Sequence, residues 1–253
     1  MPEIKTINGT RLLVVKNYDE MSRLGAQMIL ERIKGNRKIN LLLPTGTTPE
    51  GVYKILRKQG PKYFNRVTFF NKDEYCEKVG NTYKLVSEKN SKGFRYYMRK
   101  HFFQKIKPRR FYFPSMDNYK KPGSCDTFIK KNGGLDLALS AMGEDGHLGF
   151  NFPGTKFNSV TRLVKLNGNI KKVNKKLTGF DTPEYGITIG LKTEMLSKEI
   201  IFLVSGKRKA KILAKILKAK KPTVKIPATI LKKHKNCHWI VDREALSVTK
   251  RTR

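Results

Sequence analysis

The chain has 253 residues, with 54 Lys plus Arg against 20 Asp plus Glu, a net charge of +34 and 38% hydrophobic content. This is enough chain for one large α/β domain with its own core, or two small ones, and the apolar content is that of a globular protein. No run of about 18 apolar residues is present and Met1-Pro-Glu-Ile-Lys5 lacks a signal-peptide core, so no membrane span is expected and the expected compartment is cytoplasmic.

A positive field of this size favours anionic partners, whether a sugar phosphate, a nucleic acid or an acidic surface. The lysines are spread along the whole length and no RNA-binding aromatic motif or helix-turn-helix pattern accompanies them, so nucleic acid is not the expected main partner. Cys76, Cys125 and Cys237 are odd in number and far apart, which predicts reduced thiols and no metal centre.

In chain order, Leu12–Val15 reads as a strand, followed by an amphipathic helix carrying Leu24, Met28 and Ile33. A strand at Ile39–Leu43, a helix from Pro49 to Leu56 and a strand at Val67–Asn71 follow. Beyond a polar stretch come a helix at Tyr96–Ile106, a short element at Phe111–Phe113, a helix at Cys125–Lys131 and a strand at Leu135–Ala141. Strands at Tyr185–Ile189, Ile200–Val204 and Cys237–Val241 complete the pattern, with a helix at Lys207–Lys218 between the last two. This alternation predicts an α/β fold, a single doubly wound and mostly parallel sheet flanked by helices and Rossmann-like in layout. The expected organisation is one domain over 1–253, with a lid within the irregular stretch 151–183.

Three strand ends carry polar clusters. Leu43-Pro-Thr45-Gly46-Thr47-Thr48-Pro49 lies between a strand and a helix, and its exposed N–H groups could cradle a phosphate. It lacks the lysine of a P-loop, and Thr48 could equally be a plain cap before Pro49. Asp73 and Glu74 follow the next strand, where a carboxylate can take a proton from a carbon beside a carbonyl. Asp145 and His147 follow the third, two residues apart, so that the acid can orient the imidazole. In a parallel sheet these ends share one edge, and the clusters can converge.

The same residues resemble the glucosamine-6-phosphate deaminase and 6-phosphogluconolactonase superfamily, and within it the aminosugar-phosphate deaminase/isomerase branch. The likeness spans Leu41 to Asp242. It is carried by Leu43-Pro-Thr-Gly-Thr-Thr-Pro49, Phe70-Asn-Lys-Asp-Glu-Tyr75, Gly143-Glu-Asp-Gly-His-Leu-Gly-Phe-Asn151, Tyr185-Gly-Ile-Thr-Ile-Gly190, Leu203-Val-Ser-Gly-Lys-Arg-Lys209 and Pro227-Ala-Thr-Ile-Leu231. The resemblance implies conversion of glucosamine-6-phosphate or galactosamine-6-phosphate to a ketose phosphate and ammonia, with no cofactor or metal. It casts Asp73 as the group that moves a proton between C2 and C1, and His147, supported by Asp145, as the assistant of ring opening. Thr45, Gly46, Thr47 and Thr48 would hold the phosphate together with Lys209 and with Lys176, which stands where the family has an arginine. Relatives of this kind often assemble, so a homo-oligomer is an option, although +34 per chain makes self-association costly unless interface charges are neutralised.

One position departs from the pattern. Deaminases carry a glutamate five residues after the histidine, and here that residue is Phe152, followed by Pro153 as in lactonases. Lactonases in turn usually place Arg where Tyr75 stands. Deamination is therefore the leading expectation, with a 6-phosphogluconolactonase-like hydrolase and a catalytically impaired sugar-phosphate-binding homologue as alternatives.

Overall fold

The computed structural model describes residues 2–35, 38–115, 120–166, 168, 171, 175 and 181–249. Its main sheet has eight strands in the order β1 (Glu3–Ile7), β2 (Thr10–Val15), β12 (Cys237–Asp242), β11 (Glu199–Val204), β8 (Leu137–Ala141), β3 (Ile39–Leu43), β4 (Val67–Asn71) and β7 (Arg110–Tyr112). All neighbours are parallel except the β1–β2 hairpin at one edge. From β3 the chain winds outward through β4 to β7, and from β8 it winds the other way through β11 to β12. The order therefore reverses between β3 and β8, which is where open α/β sheets bind ligands.

The central strands are apolar without alternation because both faces are covered. Leu42, Phe70, Ala138, Phe202 and Trp239 point into one core, which is closed by helix Ala210–Lys218 and the turn Pro227–Lys233. Leu41, Leu43, Phe69, Leu137, Leu139, Ile201 and Ile240 point into the other, closed by helices Tyr18–Gly35 (α1) and Glu50–Leu56 (α2) and by Phe102 and Phe103. α1 starts where Asn17 Oδ1 accepts the Glu20 N–H and Glu20 in return accepts the Lys16 N–H. Acids in its first turn and bases in its last complement the helix dipole.

The expected helix at 96–106 begins earlier, at Phe94–Met98 (α3), and contains a π-helical segment at Arg99–Phe103 before Gln104–Ile106. Helices Ser124–Lys131 (α4), Leu191–Met195 (α5) and Ala210–Lys218 (α6) complete the set used below. Among the described residues no helix is long and apolar enough to cross a membrane.

The sequence pattern did not anticipate a second sheet. β5 (Asp73–Val79) pairs with β6 (Thr82–Leu85) and with β10 (Tyr185–Thr188), which pairs in turn with β9 (Arg162–Lys165), all antiparallel. The strand expected at 185–189 is thus real but lies outside the parallel sheet. Lys72 joins the two sheets. Its N–H donates to Leu43 O at 2.9 Å, extending the β3–β4 ladder, and its carbonyl accepts the Ile189 N–H at 2.9 Å, opening the β5–β10 ladder.

Phe69 is fully buried between the rings of Phe64, Phe102 and Phe103. Phe69→Ala should lower the unfolding free energy by about 3–5 kcal/mol, read by urea denaturation, because the π-helical segment cannot collapse into the void.

Candidate active site

Four neighbouring parallel strands, β11, β8, β3 and β4, end on one edge of the sheet, at the order reversal where open α/β sheets have their ligand crevice, and their C-terminal loops touch one another there. Thr45–Thr48 leaves β3. Tyr18 anchors this loop, its hydroxyl donating to Thr47 O at 2.9 Å and accepting the Gly51 N–H at 2.7 Å. Asn71 Nδ2, at the end of β4, donates to Thr45 Oγ1 at 3.2 Å. Thr48 does not cap α2, whose N-terminus has no side-chain cap. Its hydroxyl instead accepts a hydrogen bond from Lys209 Nζ at 2.7 Å, tying the β3 loop to the β11 loop. Burial, reinforced by neighbouring Arg208, depresses the Lys209 ammonium to about 8. The loop that presents Lys209 is fixed by Asp242 at the end of β12, which accepts from the Ser205 hydroxyl and the Gly206 N–H.

Asp73 is the first residue of β5 and is buried. Its Oδ1 accepts from the Thr188 hydroxyl and, at 3.3 Å, from the Phe150 N–H. Loss of hydration pushes its carboxyl up to about 6, with Lys72, Thr188 and the Phe150 N–H opposing the rise. Neighbouring Glu74 serves otherwise. It accepts the N–H groups of Tyr75, Phe94 and Arg95 at 2.7, 2.9 and 2.6 Å and so pins the start of α3. Of the two adjacent acids, Asp73 alone is a site candidate.

The loop after β8 folds back tightly. His147 Nδ1 lies 2.5 Å from Asp145 Oδ1, which also accepts the His147 N–H at 3.0 Å. Burial alone would raise the Asp145 carboxyl, but these bonds outweigh it and hold the group below its ordinary value. An ionised Asp145 fixes the proton on Nδ1 and leaves Nε2 as a base. Two glycines make this geometry possible. A Cβ at Gly143 would overlap the His147 ring, and one at Gly149, where φ is +58°, would stand 2.6 Å from Asp73 Oδ1 and 2.7 Å from Lys72 Cδ. The histidine loop and the Asp73 strand are therefore in direct contact. Glu144 on the same loop pairs with Arg208 at 3.4 Å.

Phe152 presents its ring edge-on to His147, with centroids 5.5 Å apart, and stacks on Phe150. No proton can pass through this neighbour. The expected residues Thr45, Gly46, Thr47, Thr48, Asp73, Asp145, His147 and Lys209 thus come together, whereas Lys176 lies outside the described residues. Asn71 and Thr188 lie in segments that carry the family resemblance but had no role assigned there, Tyr18 and Asp242 lie in none, and the contacts of all four give them their places at the site.

Residues 16–239 match the family described as glucosamine-6-phosphate isomerases/6-phosphogluconolactonase. A glucosamine-6-phosphate deaminase of Shouchella clausii is 39% identical over 247 residues, covering 94% of this chain and 96% of that protein. Glucosamine-6-phosphate deaminase 2 of Bacillus subtilis is 35% identical over 248 residues, covering 93% and 96%. Among solved structures, a monomeric glucosamine-6-phosphate deaminase is 31% identical and superposes with a TM-score of 0.83, covering 94% of this chain and 99% of that one. The 6-phosphogluconolactonase of Thermotoga maritima shares the fold at 20% identity, with a TM-score of 0.69 and coverage of 92% and 99%. With its family model spanning most of the chain and its strand-end loops assembled at one crevice, the chain belongs to the glucosamine-6-phosphate isomerase/6-phosphogluconolactonase family.

Proposed function

We propose that the protein is an aminosugar-6-phosphate deaminase that converts glucosamine-6-phosphate to a ketose 6-phosphate and ammonia. The observation that carries this reading is the placement of a buried carboxylate, Asp73, at the same crevice as the Lys209–Thr48 cradle and the Asp145–His147 pair. The 6-phosphate sits against the amides and hydroxyls of Thr45–Thr48, and Lys209 supplies the point charge. His147 Nε2 takes the C1 hydroxyl proton and returns it to the ring oxygen, opening the pyranose. Asp73 then removes the C2 proton while the C1 oxygen takes a proton from the C2 ammonium, giving an enolamine, and Asp73 delivers its proton to C1. Water hydrolyses the resulting C2 imine, which releases ammonia and leaves the C2 ketone. A carboxyl near 6 suits both halves of the C2-to-C1 transfer, since it is a base at neutral pH and not far from accepting a proton.

Support comes also from the relatives, which are glucosamine-6-phosphate deaminases over nearly their whole length. One observation favours a second reading. Phe152 beside His147 leaves the imidazole without an acidic partner on that side, and such a histidine could activate water for hydrolysis of a 6-phosphogluconolactone. Purified protein given glucosamine-6-phosphate should release ammonia and ketose phosphate in equal amounts. Absence of ammonia from both the gluco and galacto epimers, with lactone hydrolysis above the spontaneous rate, would replace the first reading by the second.

Asp73→Asn should lower kcat by about 10²–10⁴-fold, and in the parent enzyme kcat/KM should fall as the pH drops through about 6, because the protonated acid is no base. Lys209→Met should raise KM about 10–100-fold with a smaller change in kcat, the cost of one charge-assisted hydrogen bond. In the parent enzyme KM should climb above pH about 8, where free Lys209 loses its proton. Phe152→Glu should raise kcat severalfold by giving His147 a proton-relay partner, measured as initial ammonia release.

A further inference from the structure

Beneath the crevice lies a charged cluster that the proposed reaction leaves unused. Lys72 has a side-chain exposure of 0% and Glu194, on α5, 1%, and the Lys72 ammonium meets Glu194 Oε1 at 2.5 Å. Ser140, in β8 and equally buried, donates to the same oxygen at 2.6 Å and accepts from Lys72 Nζ at 3.3 Å. Glu194 Oε2 is buried without a hydrogen-bond partner. Removing two charges from water costs several kcal/mol each, and a well-packed apolar pair at such a place is often as stable or more so. Stability alone is therefore a poor reason for this arrangement.

Its position suggests a better one. Successive side chains of a regular strand point to opposite faces. The chain bends at Lys72 between β4 and β5, and the Lys72 stem and both Asp73 oxygens close on the same residue, Gly149. We propose that Lys72, held by Glu194 and Ser140, is a positioning residue that keeps the neighbouring Asp73 carboxylate ionised and directed into the crevice. The proposal rests on the reading of Asp73 as the proton-transfer base. Glu194 fixes the ammonium, and its own charge opposes the effect more weakly.

The groups around Asp73 are few. From its own segment come Lys72 and Glu74, the latter directed to Arg95 and the α3 amides. From β10 comes the Thr188 hydroxyl, from the histidine loop the Phe150 N–H, and from α5 Glu194. Cys237 on β12, the other titratable group that feels Glu194, is kept protonated by burial. Of the two charges that act on Asp73, Lys72 favours the ionised form and Glu194 opposes it more weakly. Removing both should therefore raise the pH at which Asp73 takes up a proton.

The test compares the full-length protein with Lys72→Met/Glu194→Leu, which removes both charges without leaving an orphan, and with Lys72→Gln/Glu194→Gln, which keeps polar partners for Ser140. Asp73 is followed by NMR in protein labelled with aspartate bearing ¹³C at the carboxyl, its signal identified by loss in Asp73→Asn. In either folded double variant the Asp73 midpoint should rise by about one pH unit, a tenfold change in its proton affinity. The acid limb of kcat/KM should shift by the same amount, with KM at the optimum changed less than about threefold. A midpoint that stays in place in a variant with the parent's thermal stability would reduce the cluster to a structural ion pair and overturn the proposal. The NMR readout needs no turnover. If the parent enzyme released no ammonia, the deaminase reading would fail while the Asp73 midpoints still decided the role of Lys72.

Discussion

The passage of the chain from one sheet to the other at Lys72, with no turn between, is the constraint on which the site depends. Backbone hydrogen bonds on both sides of this residue commit it to two ladders at once, parallel toward Leu43 and antiparallel toward Ile189. Asp73 is thereby the first residue of a strand that is buried where it starts and exposed where it ends. A carboxylate placed there is desolvated by architecture, and its basicity is set by the few dipoles and charges that reach it. Thr188 lies opposite Asp73 in the β5–β10 register, so the second sheet supplies the hydroxyl that receives the acid.

The parts of this arrangement that were legible in the sequence are those that depend on burial from both faces. Ile39–Leu43 and Val67–Asn71 read as strands because a parallel strand sandwiched between helices must be apolar throughout, and the polar clusters at their ends stand out for the same reason. The small sheet was not legible. β5 reads Asp-Glu-Tyr-Cys-Glu-Lys-Val, and its first four residues are buried although two are acids, each satisfied by partners far along the chain. Lys72 is hidden likewise: an Asn-Lys-Asp-Glu run looks like a solvated loop until Glu194, more than a hundred positions away, is known to meet it. Thr48 was ambiguous between cap and ligand cradle; its hydroxyl does not cap the helix and bonds Lys209 instead. Lys176 remains an expectation from the family pattern alone.

Phe152 is consistent with this division between frame and chemistry. Its ring joins Tyr75, Phe94 and Phe150 in a small apolar cluster on the second sheet, where Phe150 also donates its N–H to Asp73. An acid at 152 would have to be desolvated against these rings, which would disfavour its ionised form. With phenylalanine the cluster is better packed and the imidazole is oriented from one side only, by Asp145. On the reading of His147 as the ring-opening base, the family frame is kept while the relay loses one member.

Lys72 and Lys209 show why net charge is a weak guide to the ligand. A field of +34 accelerates the arrival of any anion and selects none. Lys72 is neutralised in place by Glu194 at 2.5 Å, and its charge acts only within the protein. Lys209 donates to a neutral hydroxyl, and its depressed pKa records a charge that is desolvated and incompletely compensated. A phosphate dianion held at Thr45–Thr48 would meet that charge and restore its protonation, so binding and proton uptake are coupled at this one residue. On the proposed reading, a phosphate at the switch point of the sheet would meet the charge of Lys209 directly, whereas that of Lys72 is already matched inside the protein.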